Sequence, residues 1–462
     1  MKGLLFTYFL TYGGAAVSLF RPWYGLLIYV CFAIIHPESL WHWAFDEGGN
    51  FSRIIAVALL IGWAINGFGN WNLGRSRTTV AALVGFWCWA ALSAVVAASD
   101  SDVAFRFLEA QIKIVLPFVV GVTLVDSEHK LKQLAWVILL SQGYVAWELN
   151  LSYLNGFNML DGRVGPGGFG GMDNNCVAIA MVTGAGLAFF LGMHEKSWWR
   201  KWLAFLCAGL MAHSIMFAFS RGGMLALIIL GFVSFVLIDK RPRHFAYFGL
   251  AVVVGLLLAG PEVRERFSKT FVDEEQRDES AQSRLDMWNI CLGVAADNPL
   301  LGIGPDHFPI HAKSFGLAEG KEAHTLWLQV AAELGVVGLA LLLLFYLGTM
   351  KKLWPVARRK VPGASEWDVA VARMIIAAFT GFIVAAQFVS LEGLELPYYI
   401  CLLGAGTLKL RSSVRSRIRE NSRSRIRENS AVRTDARILT NSATPGTAPV
   451  YQSRPWTRTL NS

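Results

Sequence analysis

Runs of about 17 to 25 apolar residues recur along this chain, and their length constrains the fold more than any motif does. Lipid offers no partners to backbone N–H and C=O groups, so apolar runs long enough to cross the hydrocarbon layer must be helices. The runs fall near residues 4–20, 22–40, 53–68, 79–99, 103–125, 131–154, 175–194, 200–219, 222–238, 245–260, 325–348, 369–390 and 395–410, thirteen in all, or twelve if the first lies along the interface. With 54% hydrophobic and only 16% charged residues, the composition suits lipid as the solvent. The expected fold is an all-α polytopic membrane protein: a bundle of about 12–13 transmembrane helices with one large loop, 261–323, containing amphipathic helices. Residues 4–20 lack a strongly basic n-region and run straight into another apolar segment, so no cleavable signal peptide is expected.

Short basic loops assign the sides of the bilayer. Arg75 with Arg77, Lys130 with Lys132, Lys196 with Arg200 and Lys201, Lys240 to Arg243, and Lys351 to Lys360 all fall on one side when the spans are counted through. That side is read as the cytoplasm. The loop 155–174, the Ser220–Arg221 turn and the loop 261–323 then face the opposite side.

The net charge of +9 does not signal nucleic acid. Eleven arginines against Glu420, Glu428 and Asp435 put +8 into residues 411–462, leaving the membrane domain, 1–410, nearly neutral. The tail repeats Arg-Ser-Arg-Ile-Arg-Glu-Asn-Ser at 415–422 and 423–430. Its low hydrophobicity and high charge predict a disordered cytoplasmic segment beside lipid headgroups, with no nucleic-acid partner. The six cysteines form no C-x-x-C pair and read as small core residues, with Cys176 and Cys291 the two that could meet an oxidising compartment.

Several positions carry chemistry. His324 opens an apolar span directly after the long polar loop, and histidine is the side chain best suited to proton transfer near neutrality. Read structurally, it caps the helix that follows. Arg221, between Ser220 and Gly222-Gly223, either snorkels at a helix end or meets a ligand that the glycines let approach. Arg284 and Trp288 share a face of a helix predicted over 280–297, with Ser280 or Ser283 as N-cap and Leu285, Trp288, Ile290, Leu292 and Val294 as its apolar residues. Arg163 opens a glycine-rich stretch, 162–171, running to Asp173-Asn174-Asn175. It lacks the Gly-Lys-Ser/Thr ending of a nucleotide-binding loop. Asp100-Ser101-Asp102 is too short to establish a metal-dependent Asp-x-Asp site, and His36, Glu38, His42 and Asp46 fit no standard ligand spacing, so no metal is expected. Arg106, Glu109 and Lys113 lie on one helical face within a span, where Glu109 can pair with either neighbour, as a structural network or a polar pathway.

In order, Ser220-Arg221-Gly222, Ser283-Arg284 with Trp288, Asn298-Pro299 to Gly302-Ile303-Gly304, His324-Thr325-Leu326-Trp327-Leu328-Gln329, and Glu333-Leu334-Gly335 with Gly338 resemble the superfamily of O-antigen ligases, O-antigen polymerases and protein O-oligosaccharyltransferases. The resemblance covers roughly residues 160–345, and the first 150 residues look like an exosortase-associated ligase subgroup. It implies a multi-pass protein of the bacterial inner membrane with a periplasmic active site and no cofactor. It further implies transfer of a glycan from an undecaprenyl-pyrophosphate-linked donor to a hydroxyl acceptor, lipid A-core in the ligases, a growing glycan or a protein in the others. By position His324 is then the catalytic residue, and Arg221, Arg284 and Arg163 bind the pyrophosphate. Where the family often has Asn after the histidine, this chain has Thr325. Ligation to lipid A-core is the favoured activity. A polytopic transporter or flippase is the alternative of another class, although the spans show no convincing internal repeat.

Overall fold

The computed structural model describes residues 2–41, 50–158, 160, 172–242, 244–246, 248–250, 253, 279–391 and 393–413. Helix α1 (Lys2–Tyr8) continues through a π turn (Phe9–Gly13) into α2 (Gly14–Phe20), followed by α3 (Pro22–Ile35), α4 (Pro37–Leu40) and α5 (Phe51–Ile65). Then come α6 (Arg77–Val96), α7 (Ser101–Leu124), α8 (Glu128–Leu154), α9 (Asn174–His194), α10 (Trp198–Phe217) and α11 (Arg221–Leu237). The polar loop contributes α12 (Glu279–Asp297) and the short α13 (Phe308–His311), before α14 (Leu326–Ala357), α15 (Glu366–Ala385) and a last helix, α16, over 395–413.

Among the described residues there is no β-strand, and seven helical segments are long and apolar enough to cross a membrane. Two shorter apolar helices, Phe51–Ile65 and Arg221–Leu237, accompany them. The chain is an all-α polytopic membrane protein. Each expected span coincides with a helix except 245–260, which lies mostly outside the described residues, as does the tail from 414 onward.

Local chemistry sets where the helices begin. Asp100 caps α7 by accepting from the N–H groups of Asp102 and Val103, and Asp173 caps α9 by accepting from Cys176 N at 2.7 Å. Ser220 accepts from Gly223 N at the start of α11, while Ser365 and Asp368 form a reciprocal capping box on α15. Each cap satisfies donors that a helix start otherwise leaves unpaired, about 1 kcal/mol apiece. Helix α9 lies centrally, against α10, α11 and α15. A side chain at Gly186 would run into the backbone of α15 at Ala378, so the missing Cβ sets that close helix approach.

The five basic loops gather at one end of the bundle. Lys352 donates to the Arg75 carbonyl, Arg373 and Arg359 reach Asp239, Ser365 donates to Glu128, and Trp136 donates to Glu195.

At the opposite end α14 is broken. Gly335 has φ 67° and ψ −175°, which interrupts the helix three residues before Gly338. A break frees backbone carbonyls inside the membrane region, where each needs a protein partner. Ile303 N donates to Ala332 O, Gly304 N to Glu333 O and Trp89 Nε1 to Leu334 O, while Val336 N is taken by Pro299 O. Ser93 Oγ on α6 donates to Leu301 O at 2.7 Å. The segment 299–304 is thereby sewn into the gap between α6 and α14. Gly302, at φ 67°, and Gly335 permit the seam, because a Cβ on either would overlap the facing backbone.

Candidate functional site

The site is assembled where α9, α11, α12 and α14 begin or pass at the end away from the basic loops. Asn174, the first residue of α9, donates to the carbonyl of Ala218 in the α10–α11 turn at 2.8 Å, so Asp173 and Arg221 are neighbours. Gly222, next to Arg221, faces Phe388 so closely that a Cβ would stand 2.7 Å from its ring. Trp288 of α12 lies on the same Phe388 ring at 6.5 Å between centroids. Phe388 therefore joins the start of α11 to the face of α12 that carries Arg284, one turn before Trp288.

Helix α12 is amphipathic, with a face different in detail from the expected one. Cys291 and Val294 are buried against Phe308, Ala323 and Ala332, and Met287 is buried as well, whereas Leu285 and Leu292 are exposed. At 100° per residue, 287, 291 and 294 share a side with 284 and 288, and 285 and 292 turn away from it. Residues 279–297 are helical, so Ser280 and Ser283 fall inside the helix rather than at its cap.

The capping reading does not hold, since His324 precedes the N-cap of the helix that follows. It takes a left-handed conformation at φ 50°, and Thr325 is the N-cap of α14 without a side-chain cap bond. Thr325 N donates instead to Ser390 Oγ at 3.2 Å, and Leu326 N to Ala386 O at 2.9 Å, which pins this turn to the end of α15. On its other flank, Ala323 N donates to Gln329 Oε1.

Electrostatics ties these groups into one neighbourhood. Burial, and then the charges of Lys321 and Arg284, push the His324 pKa below the ordinary histidine value, while Asp173 opposes them. Burial, and then the Arg221 charge, lower that of Arg284, again against Asp173. An arginine keeps its proton at neutral pH under such a shift, whereas a histidine so placed is a neutral base. Burial, then Asp173 and Asp306, raise Glu322, and burial raises Asp306 against His307 and Arg106. The structure thus brings Arg221, Arg284 and His324 together with Asp173, Lys321 and Glu322. Arg163 lies outside the described residues.

Asp173, Lys321 and Glu322 were not legible as site members. Asp173 caps α9, and only the fold shows that its charge also acts on Arg284 and His324. Glu333 is a further contributor: its fully buried carboxyl accepts from Asp306 N at 2.9 Å, Phe308 N at 3.0 Å and Gln329 Nε2 at 3.1 Å. Through Gln329 it reaches Ala323, beside His324.

Other candidates fall elsewhere. Asp100 spends its carboxylate on its own helix cap. His36 takes a left-handed turn between α3 and α4, His42 and Asp46 lie outside the described residues, and no cluster suited to a metal occurs among the described ones. Glu109 pairs with Lys113 at 3.0 Å and with Arg53 at 3.2 Å, not with Arg106. All six cysteines are free thiols.

The fold defines a multi-pass helical membrane protein in which two arginines and a histidine share one neighbourhood at one end of the bundle. Residues 206–343, which hold Arg221, Arg284, His324 and Glu333, match the family model described as O-antigen ligase, so this segment is similar to the O-antigen ligase family. The family is one of glycosyl-transferring enzymes of the ligase type. No curated protein matches the chain.

Proposed function

We propose that this protein transfers a glycan from undecaprenyl pyrophosphate to an acceptor hydroxyl at the periplasmic face of the bacterial inner membrane, as an O-antigen ligase acting on lipid A-core. The observation that carries the reading is the shared neighbourhood of Arg221, Arg284 and His324. Two guanidinium groups suit a pyrophosphate because each presents paired donors to phosphate oxygens, and a partly desolvated setting strengthens those bonds. Arg163, in the glycine-rich loop, is the third arginine assigned to the carrier.

His324 is neutral near pH 7 and accepts the acceptor's proton on a ring nitrogen as the hydroxyl oxygen attacks the anomeric carbon. The new C–O bond forms as the bond from the anomeric carbon to the pyrophosphate oxygen breaks, and the electron pair leaves with the pyrophosphate. Arg221 and Arg284 stabilise the charge gathering there, so no metal is required. One displacement inverts the anomeric centre.

The test is transfer by purified protein in detergent, from a defined undecaprenyl-pyrophosphate donor and with no ion gradient. A new glycosidic bond of inverted configuration is expected, lost in His324→Ala. A retained configuration rejects the single displacement, and translocation without a new bond rejects the enzyme in favour of a transporter. Growing glycan or protein as the preferred acceptor would move the assignment within the superfamily.

A further inference from the structure

Between α3, α8, α9 and the segment leading into α16 lies a cavity of about 260 Å³ that none of the residues discussed above lines, His36 excepted. Its polar groups are Glu395, His36 and Gln142, and its walls include Ile34, Met181 and Leu391. Glu395 Oε2 is sealed from solvent and hydrogen-bonds to nothing among the described residues. An unpaired carboxyl oxygen in such a place costs about 1–3 kcal/mol unless a ligand or water satisfies it.

The cavity adjoins the arginine and histidine site along two chain segments. Met172, in its wall, directly precedes Asp173, whose charge acts on both Arg284 and His324. Leu391, also in its wall, follows Ser390, which accepts from the N–H next to His324. Its chemistry nevertheless differs from that of its neighbour. The cavity offers pyrophosphate no guanidinium or ammonium group, and the volume falls below the roughly 300–1,000 Å³ of pockets for drug-sized ligands. A carboxyl, an amide and an imidazole set among aliphatic side chains suit a small neutral molecule that has hydroxyls on its rim and C–H groups on its faces.

We propose that this cavity is a subsite for one pyranose ring, with Glu395 accepting from a sugar hydroxyl and Gln142 and His36 completing the hydrogen bonding. The proposal rests on the glycosyl-transfer reading for the origin of the ring, which is either the donor sugar next to the pyrophosphate or the acceptor sugar that bears the attacking hydroxyl. Binding itself needs no turnover.

The experiment is saturation-transfer NMR on the full chain in phosphatidylcholine nanodiscs, with glucose, galactose and N-acetylglucosamine as probes and cyclohexanol as the sugar-free control. Saturation is expected for at least one sugar and not for cyclohexanol. Ala180→Phe, which fills the cavity from α9, should abolish it. Glu395→Ala should weaken it by roughly fivefold to tenfold, the equivalent of one hydrogen bond. No saturation from any probe, or saturation that survives both cavity variants, overturns the subsite. Should Ala180→Phe not yield monodisperse protein, Glu395→Ala and Gln142→Ala carry the test, since they remove volume. In transfer assays Glu395→Ala should raise KM for whichever substrate supplies the ring, separating donor from acceptor. Sugar binding without any transfer would reject the enzyme reading and leave the subsite standing.

Discussion

Glu333 is where a single substitution should expose how the loop and the membrane body depend on one another. Its carboxyl holds three donors, the N–H groups of Asp306 and Phe308 and the amide of Gln329, in a fully buried place. Glu333→Ala strands all three, and a buried unsatisfied donor costs about 1–3 kcal/mol, so the loss should reach several kcal/mol. Glu333→Gln keeps one acceptor oxygen and turns an NH2 group toward the second backbone N–H, so one donor is stranded and the cost should be about 1–3 kcal/mol. The two variants should therefore rank in that order by thermal aggregation in detergent, and limited proteolysis should cut first within 302–308. Transfer should fall in both, because Gln329 also holds Ala323 N beside His324. Wild-type melting and protection in Glu333→Ala would refute the reasoning outright. Equal losses in the two variants would show that charge or volume governs, not the count of stranded donors.

The remaining expectations concern the site and its supports. His324→Ala should insert normally and lose transfer, and the acidic limb of the wild-type rate profile should lie below the ordinary histidine range, since protonation of a base whose pKa is lowered begins only at lower pH. Lys321→Ala removes a cation that lowers that pKa, so the limb should move to higher pH; an unmoved limb would detach it from His324. Arg284→Lys should cost about 1.5–3 kcal/mol of transition-state binding, ten- to a hundredfold in kcat/KM, because a point charge does not reproduce a forked donor. Gly335→Ala should destabilise by several kcal/mol at a φ of 67° where a Cβ overlaps the Leu300 carbonyl. Chelator should leave transfer unchanged, and a rate restored only by added divalent ion would contradict the arginine-based mechanism.

The spans were legible because hydrocarbon thickness dictates their length, and the basic loops because charge is excluded from that layer. Arg221, Arg284 and His324 were legible as individual positions, through their places at helix starts and on one face of α12. Their convergence was an expectation from sidedness and resemblance and not from spacing, since it depends on Phe388 and on the Asn174–Ala218 bond, which join segments far apart in sequence. Ile290 and Val294 lie on the apolar side of α12 as expected, but Leu285 and Leu292 do not, because hydrophobicity alone favours them while the buried side is chosen by the fit of Cys291 and Val294 against Phe308 and Ala332. The cavity around Glu395 draws on residues 36, 142, 181 and 395, and no local spacing relates them.

The seam between residues 299–304 and the broken turn of α14 also bears on engineering. A loop exchange assumes that the loop is anchored only by its two chain ends. Here the anchors are the Ser93 hydroxyl, the Glu333 carboxyl and the gap at Gly335. A chimera that transplants the loop alone would leave carbonyls bare within the bilayer, so the exchangeable module is the loop together with the outer halves of α6 and α14.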